Sequence, residues 1–178
     1  SRVKGIESPR VGLVNIGAEE TKGGQLQIDA HNMLKKAPVN FIGNVEPRYL
    51  PTGACDVAVT DGFTGNTVLK LTEGLAKSLS GQIKGILYKS FMNKLAGLII
   101  KKDMDAFKKT MDYKEHGGAA LLGAAHPVIK AHGSSDARAF KNAIRQAKEF
   151  VEGDVNAQIL KALEEKKAQA SAKTEENA

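Results

Sequence analysis

Apolar positions change period several times along the 178-residue chain, and each change predicts an element. "PRVGLVNIG" (residues 9–17) is almost continuously apolar, the pattern of a strand covered on both faces. After the polar run "EETKGG", the stretch "QLQIDAHNMLKKA" brings Leu26, Ile28, Ala30, Met33, Leu34 and Ala37 round at helical spacing. His31 is expected on the outer surface of that helix. Pro38 ends it, "VNFIGN" reads as a second strand, "VEPRYLPTGA" as a two-proline loop and "DVAVT" as a third strand. A helix from about Gly65 is expected to bury Val68, Leu71, Leu75 and Leu79. A further helical stretch runs from about Ser80 towards Leu98, interrupted by Gly85 and Gly97.

Downstream, "KKDMDAFKKTMDY" predicts a short helix with Met104, Phe107 and Met111 on one face, and "GGAALLG" and "PVIKAHG" predict two short strands. "SSDARAFKNAIRQAKEFVEG" is a helix with Ser135 or Asp136 as N-cap and Gly153 at its far end. "DVNAQILKALEEKK" is a last helix, and the low-complexity "AQASAKTEENA" is expected to fray. There is no internal repeat. The alternation is that of an α/β protein with a mostly parallel sheet. Residues 1–165 form the α/β part and 166–178 a tail. A buried-looking strand comes within a few residues of the start with no α/β unit before it, so this is expected to be part of a larger domain.

Composition narrows the partners. With 42% hydrophobic and 26% charged residues the chain is globular, and a net charge of +6 favours acidic partners. The single Cys55 excludes an internal disulfide and suits a reducing, cytoplasmic compartment. The start "SRVKGIESPR" is polar, and the longest apolar run, "LAGLII", is too short to span a bilayer. Only 5% of residues are aromatic and no recognition motif accompanies the basic charge, which argues against nucleic acid.

Candidate chemistry sits where strands hand over to helices, the usual ligand edge of α/β proteins. In "TDGFTGN", Gly62 and Gly65 allow a tight turn and close approach, the following helix offers amides, and Thr64 and Asn66 add donors. Equally, Asp61 or Thr64 caps an ordinary turn. "IKAHGSSD" repeats the arrangement, with Gly133, Ser134 and Ser135 able to hold an oxyanion and His132 able to move a proton. Here too the plain reading stands beside it: Ser135 and Asp136 cap, and His132 satisfies a buried group. Loop 15–24, with Glu19, Glu20 and Lys22, lines the same edge or is a solvated turn. His116 is a loop residue or the edge of a site, and His126 has no assignable partner. Cys55 reads as a small buried residue, and no spacing suggests zinc or calcium. In "FMNKLAGLIIKK" an apolar stripe of Phe91, Met92, Leu95, Leu98 and Ile99 is framed by Lys94, Lys101 and Lys102. Such a stripe suits an anionic membrane surface, or a core or dimer helix.

Four blocks in order, "PRVGLVNIGAEETKGG", "NFIGNVEPR", "DGFTGNTVLKLTEG" and "PVIKAHGSSD", closely resemble the C-terminal half of the PlsX-type phosphate acyltransferases of bacterial phospholipid synthesis. The resemblance covers nearly the whole chain up to the tail. It implies a three-layer α/β/α, Rossmann-like, phosphotransacetylase-like fold working as a homodimer. It implies transfer of a long-chain acyl group from acyl carrier protein to inorganic phosphate, without metal or cofactor. His132 and Asn66 are then the catalytic candidates, and Asp61, Gly62, Thr64, Gly65, Lys130, Gly133, Ser134 and Ser135 the phosphate-binding ones. The same resemblance implies peripheral attachment to the inner face of the cell membrane through Leu95, Leu98, Ile99, Lys101 and Lys102. Family members are about twice as long, so this chain alone is expected to be incomplete. The competing readings are a coenzyme A-dependent phosphotransacetylase and a non-catalytic membrane-surface or scaffolding domain of the same fold.

Overall fold

Arg10–Val14 (β1) is the middle strand of a three-stranded parallel sheet, with Asn40–Val45 (β2) on one side and Val57–Val59 (β3) on the other. The computed structural model describes residues 5–110 and 117–176; Met111 and His116 lie outside them. The described chain divides into two compact units, Ile6–Leu98 and the part from Ile99 onward.

In the first unit, Val11, Leu13 and Val14 of β1 are buried, as the continuous apolar run predicts. The expected α/β architecture with its parallel sheet is the one observed. Arg10 fastens the amino end of β1 to the entry of β3. Its guanidinium donates to both carboxylate oxygens of Asp56, at 3.0 Å each, and to the carbonyls of Gly53 and Ala54.

The crossover from β1 to β2 is the helix Gln25–Lys35 (α1). Its inward row is Ile28, His31 and Leu34, whereas Leu26 and Met33 are exposed. His31 is therefore not the surface residue expected from the pattern; it is only 3% exposed. The physical reason is that β2 supplies a polar partner, Asn44, at the place where the ring enters.

Gly62–Tyr88 (α2) is one uninterrupted helix, with no break near Ser80. Gly81 and Gly85 each cost about 1 kcal/mol relative to alanine but remove no hydrogen bond, so they do not end a helix as proline does. The expected burial of Leu71, Leu75 and Leu79 does not occur. All three are exposed, because no described element covers that stripe. Phe91–Ile99 (α3) follows a short break, with the Ser90 hydroxyl accepting from the Asn93 amide at 3.1 Å.

The second unit holds Lys101–Thr110 (α4), an antiparallel pair Gly118–Ala120 (β4) and Ile129–Ala131 (β5), and the helices Ala137–Glu152 (α5) and Val155–Glu176 (α6). Ala139, Ala143 and Phe150 are the buried residues of α5. None of the helices among the described residues is long and apolar enough to cross a membrane.

Candidate functional site

Because β1, β2 and β3 run parallel, their carboxyl ends lie at one edge of the sheet, and each delivers a different polar segment there. Beyond β1 comes loop 15–24. Asn15 is buried; its Oδ1 accepts from the Ile16 amide at 2.8 Å and its Nδ2 donates to the Lys22 carbonyl at 2.9 Å. From β2, the buried Asn44 donates through Nδ2 to the Glu19 carbonyl at 2.7 Å. That assignment leaves Oδ1 to accept from His31 Nδ1 at 3.0 Å, so Nδ1 carries the ring proton. The other ring nitrogen lies 3.7 Å from Glu20 Oε1, which also accepts from Lys35 at 2.8 Å. The Lys35 ammonium holds the Glu20 carboxyl below its ordinary range. Asn15 and Asn44 thus hold the loop directly, and His31 fixes the Asn44 carboxamide that does so.

Beyond β2, Arg48 Nη2 donates to Glu46 Oε1 at 3.0 Å, and its guanidinium carbon stands 4.7 Å from the Tyr49 ring centroid. Neither Glu46 nor Arg48 was singled out by motif reasoning. The available clue was a guanidinium directly after a strand-ending "VEP" turn.

Beyond β3, α2 starts three residues earlier than the periodicity suggests. Asp61 is the N-cap and accepts from the Thr64 amide at 2.8 Å. The Thr64 side chain and amide, with a smaller contribution from the Phe63 amide, hold the Asp61 carboxyl below its ordinary range. Of the two readings of this junction, capping by Asp61 is what the geometry contains. It does not use up the helix start: the amide of Gly62, at the first helical position, has no intrahelical acceptor.

The two glycines do different work from a turn, for neither has a positive φ. A Cβ on Gly65 would lie 2.7 Å from Thr60 Cγ2, so Gly65 allows the helix to start tight against the strand it leaves. A Cβ on Gly62 would meet nothing within 4 Å, so the space beside its amide is open. Asn66 is exposed one turn further on, on the same face of α2 as Gly62.

In the second unit, α5 repeats the pattern. Asp136, not Ser135, is the N-cap and accepts from the Ala139 amide at 3.0 Å. Ser135 Oγ is buried without a hydrogen-bond partner. The Ser134 amide donates to His132 Nδ1 at 3.2 Å, and the Ser134 hydroxyl lies 2.8 Å from the same nitrogen. An amide can only donate, so the neutral ring carries its proton on Nε2. His132 and Gly133 are exposed, as is Lys130, which alternates along β5 with Ile129 and Ala131. Asp61, Gly62, Thr64, Gly65 and Asn66 share one helix start in the first unit; Lys130, His132, Gly133, Ser134 and Ser135 share another in the second.

Leu95, Leu98 and Ile99 are all exposed on α3, and Lys101 and Lys102 open α4, also exposed. Among the described residues no group of three or more His, Cys, Asp or Glu is placed to hold a metal ion.

A family model described as fatty acid synthesis protein matches residues 1–158. A phosphate acyltransferase of Oceanobacillus iheyensis is 50% identical over 163 residues, covering 92% of this chain and 49% of that protein. A phosphate acyltransferase of Clostridium novyi is 51% identical over 161 residues, 90% of this chain and 48% of that protein. One from a Geobacillus strain is 51% identical over 164 residues, 92% of this chain and 50% of that protein. The chain spans about half the length of the curated relatives it matches, their C-terminal half.

Proposed function

The chain belongs to the fatty acid synthesis protein family, the PlsX-type phosphate acyltransferases, and from that premise we propose that it moves a long-chain acyl group from acyl carrier protein to inorganic phosphate. A phosphate oxygen attacks the thioester carbonyl carbon; the C–O bond forms, the C–S bond breaks, and the thiolate leaves. Phosphate is already a nucleophile near neutral pH and a thiolate is a fair leaving group, so positioning and charge stabilisation are the protein's main tasks.

The observation that carries this reading is the start of α2: a glycine amide without an intrahelical acceptor at a parallel-strand end, with open space beside Gly62 and the exposed Asn66 one turn further on the same face. Gly62 and Asn66 donate to phosphate oxygens. Asp61 is negatively charged and serves as the cap, with Thr64 locked to it, while Gly65 sets the seat of the helix. Arg48, at the same sheet edge, supplies the positive charge that a phosphate beside Asp61 requires. The start of α5 in the second unit, with Lys130, Gly133, Ser134 and Ser135, is a separate candidate anion-binding group, in which the buried, unpartnered Ser135 hydroxyl is the best supported member. His132, in the second unit, is assigned a proton-handling or hydrogen-bonding role in the transfer.

The net charge of +6 suits an acidic carrier protein. The exposed stripe of α2 is the face for a second copy, giving a homodimer, and α3 with Lys101 and Lys102 is the membrane-contact surface.

Trapping acyl phosphate as hydroxamate tests the chemistry, using long-chain acyl carrier protein with and without phosphate. The chain is assayed alone and together with the N-terminal half found in its relatives. Phosphate-dependent product in either mixture supports acyl transfer. Silence in both, with salt-sensitive vesicle binding retained, points to a scaffolding domain instead.

A further inference from the structure

Positive charge is unevenly placed along the chain. Residues 62–102 hold seven lysines against the single Glu73, an excess of six, while the other residues carry nineteen basic and nineteen acidic side chains. The whole net charge of +6 therefore lies between the start of α2 and the start of α4. Within α2 it is ordered. Lys70, Lys77 and Lys84 recur every seven residues, two helical turns, and form one row about 21 Å long. The row runs along the side opposite the exposed Leu75, Leu79, Ile83 and Ile86, and Asn66 heads it one turn before Lys70.

All three lysines are exposed. Lys70 is paired with Glu73 at 3.5 Å, but Lys77 and Lys84 face no carboxylate among the described residues, and Lys84 Nζ stands 5.9 Å from the Tyr88 ring centroid. Beside the row on the same side of the helix lie Gly74, Gly81 and Gly85, also exposed. None of them has a positive φ, and a Cβ on any of the three would meet nothing within 4 Å. Glycine is the poorest helix former after proline, so these three weaken α2 without serving its own packing. They leave a low shelf next to the charges, where another helix can lie close.

Charge selects the occupant. A second copy laid two-fold on this face would set lysine against lysine, Lys77 against Lys77 and Lys70 against Lys84. A membrane surface favours apolar side chains among the lysines, as on α3, and between Lys70 and Lys84 this side of α2 has none. A partner helix with carboxylates two turns apart matches both features: its acidic side chains meet lysines about 10 Å apart, and its backbone lies on the glycines.

We propose that the row of Lys70, Lys77 and Lys84, with the glycines beside it, is the docking face for an acidic helix of the protein that delivers the acyl group. This rests on the proposed transfer from an acidic carrier protein, and it sets the docking face on the same helix that begins at Gly62.

The test is calorimetric titration with acyl carrier protein at low salt, of the chain alone and together with the N-terminal half found in its relatives. Lys77→Glu/Lys84→Glu should weaken binding about tenfold or more and Lys77→Gln/Lys84→Gln about threefold or more, differences that fade at high salt. Gly74→Leu/Gly81→Leu keeps every charge and raises helix propensity. It should hold or raise the urea midpoint while weakening carrier binding about tenfold. A wild type that binds the carrier, with all three pairs binding equally well, overturns the docking face and leaves the transfer reading standing. A wild type with no carrier affinity removes that reading, and the face with it. Loss confined to the lysine pairs overturns a helix seated on the glycines. Loss of anionic-vesicle binding in place of carrier binding gives the row to lipid, and failure of the glycine pair to join the N-terminal half makes the face an internal seam; either result overturns the proposal.

Discussion

His31 Nδ1 and Asn44 Oδ1 lie 3.0 Å apart inside the first unit, and between them they connect α1, β2 and loop 15–24. Replacing His31 with leucine preserves the bulk and leaves the Asn44 oxygen buried without a donor. The expected cost is about 1–3 kcal/mol, read as a lower urea midpoint at unchanged slope. Hydrogen exchange should quicken in loop 15–24 well before global unfolding. Adding Asn44→Ala to His31→Leu should cost less than the sum of the two singles, since they break one network. Strict additivity would show that the pair is adjacent but uncoupled.

Gly62 and Gly65, three residues apart, should respond to alanine in opposite directions. At Gly65 the new methyl meets Thr60 Cγ2 at 2.7 Å, on a β-branched side chain with little freedom to yield. Gly65→Ala should therefore destabilise by about 1–3 kcal/mol, and Thr60→Ser should rescue part of it. At Gly62 the methyl meets nothing and helix propensity improves, so Gly62→Ala should stabilise by up to about 1 kcal/mol. The same methyl occupies the space beside the free amide, so affinity for methylphosphonate should fall. A Gly62→Ala protein that binds phosphonate as wild type does would remove the seat from this helix start.

How far the sequence disclosed this arrangement depends on where each residue's partners come from. The three parallel strands and the helix starts were legible because continuous apolar runs, glycines and Asp caps act locally. The burial of His31 was not, because its partner Asn44 is thirteen positions away on another element and period alone reads a histidine as surface. The expected burial of Leu71, Leu75 and Leu79 failed for the opposite reason. Periodicity identifies an apolar stripe, but not whether anything covers it. In the site, "DGFTGN" is legible from its glycines and its Asp cap; the close approach expected of Gly62 and Gly65 is what the structure contains, whereas the tight turn is not, since neither glycine has a positive φ. Arg48 was passed over because its placement at the sheet edge needs the parallel pairing of β1 and β2 to be known.

Arg48 should matter for phosphate and little else. It is braced by Glu46 and by the Tyr49 ring at the carboxyl end of β2, and its side chain is well exposed. In the hydroxamate assay, Arg48→Ala is expected to raise the KM for phosphate about five- to tenfold while leaving that for acyl carrier protein within twofold. Arg48→Lys should recover only part, because a point charge loses both the fork and the stacking. A rise confined to the carrier protein's KM would move Arg48 from the phosphate seat to the docking surface.

Acid should loosen the Arg10–Asp56 clasp within a definable window. The guanidinium of Arg10 and its backbone amide bring the Asp56 carboxyl from 3.8 down to about 2. A depressed folded-state value means that the contribution is fully present above the unfolded value, near pH 4. It is lost as pH falls through the folded value towards about 2. Wild type should therefore have a higher urea midpoint than Asp56→Asn at pH 7, and the gap should shrink steadily below pH 4. A gap that is the same at pH 7 and pH 2.5 would mean that Asp56 acts as a neutral hydrogen-bond acceptor, not as an ion.

In α3 the small, polar side of the helix is turned inward. Asn93 Nδ2 donates to the Ile86 carbonyl at 2.8 Å, and a Cβ on Gly97 would stand 3.6 Å from Leu87. Seating α3 on α2 through Asn93 and Gly97 leaves Phe91, Met92, Leu95, Leu98 and Ile99 facing outward, so the apolar face is exposed without loss of the helix's own anchorage. If that face enters a headgroup region, Leu98→Ser with Ile99→Ser should reduce binding to anionic vesicles about tenfold or more, with little change at neutral vesicles where binding is already weak. Lys101→Glu with Lys102→Glu should weaken the same binding by at least several-fold, an effect that high salt erases. Loss of vesicle binding on Asn93→Ala alone, with the apolar face intact, would show that the α2–α3 corner rather than the exposed stripe sets the interaction.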